Sequence, residues 1–164
     1  CIYCQLGRTT FKTTEIKERI SLTEILNELK AFLSALEPNL KLNYITISGS
    51  GEPTLNPIIK ELILSIKRIT PIPVAVLTNS SLLSLEEVRI AVSEANLVVT
   101  TFNAVSKEIF EKVNRPHPNI KIEDIILGLI NFRNGFKGKI FLEIMVIKGI
   151  NDSLKEIRKL NVLI

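Results

Sequence analysis

Tyr44-Ile-Thr-Ile-Ser48, running directly into Gly49-Ser-Gly-Glu-Pro53-Thr54, is the stretch on which the fold turns. An aromatic and three β-branched residues in a row read as a short strand. The small and polar residues after it cannot continue a ladder, and a helix is expected from Pro57 to Ile69, stopping before Pro71. Strand, glycine-rich turn and helix make one βα unit. The unit recurs downstream. Pro73 to Thr78 is a strand ending in Asn79-Ser-Ser81, and Ser84 is expected to cap a helix reaching Glu94, with Glu86 and Glu87 favouring its positive dipole end. Leu97 to Thr101 is a strand ending at Phe102-Asn103, followed by a helix from Ser106 to Val113. Asn114-Arg-Pro-His-Pro118 is a rigid loop, and Ile122 to Phe132 is helical. Turn signals at Asn134-Gly and Lys137-Gly precede a last strand from Lys139 to Ile147. Lys148-Gly-Ile-Asn-Asp152 leads into a helix from Ser153 onward.

Upstream, Ser21 and Glu24 have capping-box spacing. The helix they open carries Ile25, Leu26, Leu29, Phe32, Leu33 and Leu36 on one face, and Pro38-Asn39 should end it. Strands alternating with helices predict parallel βαβ units in an α/β fold. Nearly continuous apolar strands predict a sheet buried on both faces. Every strand runs into a small or polar segment. In such sheets and barrels ligands bind at the carboxyl ends of the strands, so these segments should share one functional face. The 164 residues read as one domain without an internal linker or repeat beyond the βα alternation.

The composition, 46% hydrophobic and 23% charged, is that of an ordinary globular chain and excludes a disordered or collagen-like one. No apolar run is long enough for a transmembrane helix, and no leader is visible, so a cytoplasmic, non-membrane protein is expected. The net charge of +4 is spread along the helices, which suits a solvated basic surface and is compatible with an anionic partner such as RNA.

The chemically committed stretch is Cys1-Ile-Tyr-Cys4, the only two cysteines of the chain. A CxxC pair serves redox, zinc or iron–sulfur chemistry. A thioredoxin-like pair would follow a strand and open a helix, whereas this one precedes a long polar stretch. A zinc site would need two more ligands, and His117 is the only histidine. An iron–sulfur site would need at least one more thiolate. Ligands at the first residues of a domain suggest that the chain is truncated at its start.

Cys1-Ile-Tyr-Cys4 resembles the last two cysteines of the CxxxCxxC loop of radical S-adenosylmethionine (radical SAM) proteins, with the usual aromatic before the final cysteine. Ser50-Gly51-Glu52-Pro53 after a strand is similar to that superfamily's GGEP segment, with Ser50 in place of the first glycine. Thr78-Asn79 matches another recurring position. The resemblance covers the whole chain. It implies a partial (βα)6, TIM-like radical SAM barrel of parallel strands over residues 1–164, with the first strand missing at the start and the last at the end. It also implies a third cysteine four positions before Cys1.

By the same resemblance, Cys1 and Cys4 are ligands of a [4Fe–4S] cluster whose unique iron is chelated by S-adenosylmethionine. Reductive cleavage then gives a 5′-deoxyadenosyl radical that takes hydrogen from substrate. Tyr3 would lie against the adenine. The backbone at Ser50 and Gly51 and the carboxylate of Glu52 would receive the methionyl ammonium. Thr78 and Asn79 would reach the methionyl carboxylate or ribose, and Thr101 and Asn103 the ribose hydroxyls. Glu143 shares a strand face with Met145. As a lone carboxylate in an apolar strand, it is a candidate for facing the cavity. His117, between prolines, reads either as part of a rigid surface loop or as a substrate or partner contact.

The resemblance is most specific to an Fe–S oxidoreductase group related to the tRNA wyosine-base synthases. It implies a reductant such as ferredoxin or flavodoxin, with tRNA as the candidate substrate. Two alternatives remain. One is an activase that places a glycyl radical on a partner protein. The other is a non-catalytic fragment lacking one cluster ligand.

Overall fold

The computed structural model describes residues 1–17, 20–37 and 39–163. Its helices are α1 (Leu22–Ser34), α2 (Ile59–Ile69), α3 (Glu86–Val92), α4 (Lys107–Asn114), α5 (Ile122–Gly135) and α6 (Leu154–Leu163). Its strands are β1 (Ile45–Ile47), β2 (Val74–Thr78), β3 (Leu97–Thr101) and β4 (Lys139–Glu143). The strands form one sheet in the order β1-β2-β3-β4, and every neighbouring pair is parallel. Sequential strands lie side by side because each crossover helix returns the chain to the adjacent position with the same hand, which is how a (βα) barrel grows. Strand alternation with helices was therefore a sufficient guide to the α/β fold.

Strand periodicity divides the sheet into two unlike faces. Ile45, Ile47, Val74, Val76, Val98 and Ile140 point to the helices and join Leu62, Ile63, Ile66, Val92 and Phe132 in the main core. A second cluster, with Phe102, Phe110, Ile125 and Leu160, receives Leu142 from the same side of β4. On the opposite face, Leu77, Val99 and Phe141 stand in one register row. Leu77 and Phe141 are exposed. The expectation of strands buried on both faces thus fails at β4, whose residues alternate between exposed and half-buried. The helices pack on one face; on the other, Ala75 and Leu97 are buried while Leu77 and Phe141 stay open, as on the wall of an open barrel.

Local signals acted largely as expected. The Ser21–Glu24 capping box forms, with Glu24 N–H donating to Ser21 Oγ at 3.2 Å and Ser21 N–H to the Glu24 carboxylate at 3.3 Å. Phe32, expected on the packed face of α1, is exposed. That helix ends at Ser34, and the proposed stop at Pro38 lies outside the described residues.

Ser84 does not cap α3. Leu85 holds the cap position without a side-chain bond, because Leu83 is drawn fully into the core and the chain turns there before the helix begins. The Ser84 carbonyl instead accepts from the Arg89 guanidinium at 2.8 Å. α3 ends at Val92 rather than Glu94. β4 stops at Glu143 rather than Ile147, since side-chain amides take the next main-chain N–H groups: Asn103 binds Met145 N–H and Asn151 binds Ile147 N–H. Among the described residues no helix is long and apolar enough to cross a membrane.

Candidate active site at the carboxyl ends of the strands

The turn after β1 is organised by Glu52. One carboxylate oxygen accepts from Thr54 N–H at 3.2 Å, Thr54 Oγ1 at 2.7 Å and Thr78 Oγ1 at 2.6 Å. The other accepts from Asn79 N–H at 2.7 Å. Glu52 therefore caps the short 3-10 turn Pro53–Leu55 and ties the end of β1 to the end of β2. A carboxylate offers about four lone-pair directions, so the oxygen bound to Asn79 keeps room for a further donor. Ahead of it, a Cβ built on Gly51 would meet nothing within 4 Å, and its φ is not positive. Neither packing nor backbone strain requires glycine there. What the missing side chain leaves is an open approach to the main chain from the cavity.

After β2, Asn79 is exposed, and its Oδ1 accepts from Ser81 N–H at 2.9 Å to close a local turn. Ser80 between them is fully buried with φ of 67°. Its N–H donates to Thr78 Oγ1 at 3.1 Å and its hydroxyl to the Thr101 carbonyl at 3.3 Å, which holds the strained residue in place.

The cysteine loop is anchored on α4. Ile2 N–H donates to the Val113 carbonyl at 2.8 Å, and Gly7 N–H closes the loop onto the Cys4 carbonyl at 3.0 Å. Gly7 has φ of 81°, a conformation that suits its lack of a Cβ. Both cysteines are free thiols and half-buried. Asn114, the last residue of α4, directs Nδ2 toward Cys1 Sγ at 3.9 Å. Its Oδ1 is buried without a hydrogen-bond partner. The next residue, Arg115, closes the helix in a left-handed conformation with φ of 48°.

Cys1, Cys4, Ser50, Gly51, Glu52 and Asn79 line one cavity of about 880 Å³, together with Asn114, Lys12, Lys17, Arg115 and His117. The remaining expected residues gather beside it. Thr78 is buried against Glu52. Thr101 Oγ1 donates to the Glu143 carboxylate at 3.2 Å across the β3–β4 register. Asn103, only 1% exposed, donates from Nδ2 to the Tyr3 hydroxyl at 2.7 Å. Burial pushes the Tyr3 phenol up, the Asn103 hydrogen bond opposes this, and the nearby Glu143 and Cys4 push the same way as burial.

Sequence reading missed Asn114, Asn151 and Glu156. Glu156 is 2% exposed and accepts from Val105 N–H at 2.6 Å, Ser106 N–H at 2.8 Å and Ser106 Oγ at 2.5 Å. It fastens α6 to the amino end of α4, where Ser106 makes no capping bond of its own. Burial would raise its pKa. The Ser106 hydroxyl, the Ser106 and Val105 amides and Lys159 outweigh that and hold it below the usual value.

The residues present fit a ligand with both an iron–sulfur and a cationic end. Two thiols face an open main-chain cradle, with a free carboxylate lone pair and an orphaned buried amide oxygen in the same cavity wall. Among the described residues no three His, Cys, Asp or Glu side chains converge. The sequence carries two cysteines and no third.

Comparison with known proteins agrees with this layout. The family model of the radical SAM superfamily matches residues 1–160. The UPF0026 protein MJ1312 of Methanocaldococcus jannaschii is 35% identical over 159 residues, covering 97% of this chain and 49% of that protein. A UPF0026 protein of Helicobacter pylori is 31% identical over 159 residues, 96% of this chain and 50% of its own length. A Brachyspira hyodysenteriae protein named GTPase Obg is 43% identical over 157 residues, 96% of this chain and 23% of its own. The chain thus spans from 23% to 50% of the length of these relatives. Among solved structures, a domain of the pyruvate-formate lyase-activating enzyme from Bacteroides vulgatus superposes with a TM-score of 0.57 at 22% identity. The superposition covers 73% of this chain and 70% of that one and is a likeness of fold.

Proposed function

The chain belongs to the radical SAM superfamily, and we propose that it forms the core of an enzyme that binds S-adenosylmethionine at a [4Fe–4S] cluster and abstracts hydrogen from its substrate. The observation carrying this reading is that Cys1 and Cys4 share a cavity with Gly51 and Glu52, three segments of chain apart. A cluster bound there would supply the electron for reductive cleavage of S-adenosylmethionine. The protein's own part is placement. Cys1 and Cys4 would be ligands of the cluster. The Ser50–Gly51 main chain and the free Glu52 lone pair receive the methionyl ammonium, and Thr78 and Asn79 keep that carboxylate aimed. Asn114 donates toward the Cys1 sulfur, and its orphaned Oδ1 accepts from the ligand. Thr101, with Glu143, takes the ribose hydroxyls. Asn103 donates to the Tyr3 hydroxyl beside it.

Lys12, Lys17 and Arg115 on the cavity wall favour anionic partners, in keeping with the net charge of +4. This supports tRNA as the substrate and an acidic one-electron donor, such as a ferredoxin or flavodoxin, as the reductant. The activase reading rests on a likeness of fold alone.

The test is anaerobic loading with iron and sulfide, with 2-mercaptoethanol in excess to supply the third sulfur. The expected result is visible iron–sulfur absorption and release of 5′-deoxyadenosine from S-adenosylmethionine under dithionite. Both should be lost in Cys1→Ala and Cys4→Ala. Equal iron and sulfide uptake by those variants would overturn the assignment. A salt-sensitive mobility shift with tRNA, weakened by Arg115→Ala, checks the substrate class.

A further inference from the structure

Asn103 and Asn151 are both almost fully buried and sit at the carboxyl ends of β3 and β4. Buried side-chain amides are costly unless their polar atoms are paired, and here both ends of each amide have partners. Asn151 accepts from Ile147 N–H at 2.6 Å. It donates to the Asn103 carbonyl at 2.9 Å and the Met145 carbonyl at 2.8 Å. Asn103 Oδ1 accepts from Met145 N–H at 2.8 Å. A main-chain N–H can only donate, so it fixes which end of the Asn103 amide is oxygen. The other end, Nδ2, must then face Tyr3, whose hydroxyl accepts at 2.7 Å. The Gly149 turn, with φ of 74°, brings Asn151 back under the strand end.

We propose that the Asn103–Asn151 pair is a latch that positions the cysteine loop, with the Tyr3 hydroxyl as the part it grips. Asn103 is a positioning residue and not a ligand contact. Tyr3 lies between the two cysteines, so a bond on its phenol holds the segment between both sulfurs against the ends of β3 and β4. Among the described residues, the loop's one main-chain tie to the body between Cys1 and Cys4 is Ile2 N–H to Val113. A second anchor on the far side of the loop removes the freedom to swing about the first. That the latched loop serves a cluster rests on the radical SAM reading, but the latch itself does not.

The test therefore uses the cofactor-free protein. Cys1 and Cys4 are its only cysteines, so the rate of reaction with an aromatic disulfide such as 5,5′-dithiobis(2-nitrobenzoate) reports the loop alone. Tyr3→Phe keeps the ring and removes the acceptor, and the thiol rate should rise about five-fold, as expected for loss of one hydrogen bond from the closed loop. Asn103→Leu should give the same rise, and the double variant no further rise, because both remove the same bond. Tyr44→Phe, which alters the other tyrosine, should leave the rate unchanged. A Tyr3→Phe rate equal to the parent's would overturn the latch. If Asn103→Leu fails to fold, the Tyr3→Phe comparison still decides the question. Loss of iron uptake with normal latch kinetics would sink the cofactor reading while leaving the latch intact.

Discussion

Glu52 and Glu156 are both acidic residues at the amino end of a helical turn, yet only one was legible in the sequence. Glu52 stands in a short motif, and two of its donors, on Thr54, come from two residues away. Glu156 finds its partners about fifty residues away, at Val105 and Ser106. No local spacing marks such a pairing, and helical periodicity alone would have left Glu156 on a solvated face. Cys1, Cys4, Gly51 and Asn79 stand in short motifs like that of Glu52, and the fold brings them to one cavity wall. Asn114 and Asn151 were hidden for the same reason as Glu156.

The Glu156 arrangement has a consequence in acid. Its folded pKa lies below the ordinary value, so the bound carboxylate stabilises the fold fully above about pH 4.5. That contribution is lost as pH falls through the folded value. Glu156→Gln should cost about 1–3 kcal/mol at pH 7. In urea titrations the gap between variant and parent should narrow steadily below pH 4.5. A gap constant from neutral pH into acid would show that the charge plays no part.

At the scale of elements, alternation of strand and helix was readable because each βα unit carries its own turn signal. Element ends were harder, since tertiary partners set them. α3 begins late because Leu83 is pulled into the core, and β4 ends early because Asn103 and Asn151 take the ladder's N–H groups. The turn before α3 also receives α5. A Cβ on Gly128 would lie 2.5 Å from the Leu83 carbonyl carbon and 2.6 Å from Ser84 N. Those are main-chain atoms that cannot rotate aside. Gly128→Ala gains about 1 kcal/mol of helix propensity, but the overlap costs about 1–3 kcal/mol. The net effect should be a lower Tm. Gly135→Ala, at the end of the same helix with nothing within 4 Å, should leave Tm equal or higher. Thermal unfolding followed by circular dichroism separates the two, and equal shifts in the same direction would contradict the close approach of α5.

For the whole molecule, the unequal packing of the two sheet faces is the property that matters. A sheet covered on both faces would carry its stability evenly across them. Here the helices cover one face, and the other presents Leu77 and Phe141 toward the open side, where a barrel keeps its ligand space. Nearly continuous apolar strands gave no hint of this, because a barrel interior and a buried sheet face have the same residue types. The asymmetry predicts unequal costs for removing large side chains. Ile63, fully buried between α2 and the sheet, should cost about 2–5 kcal/mol when replaced by Ala. Phe141→Ala removes a larger side chain from the open face, where it is 56% exposed. It should cost under about 1 kcal/mol, because surface positions contribute little. Chemical denaturation midpoints of the two variants measure the difference directly. A loss at Phe141 as large as that at Ile63 would mean that this face is packed in the folded molecule, and the cavity at the strand ends would then close from the barrel side.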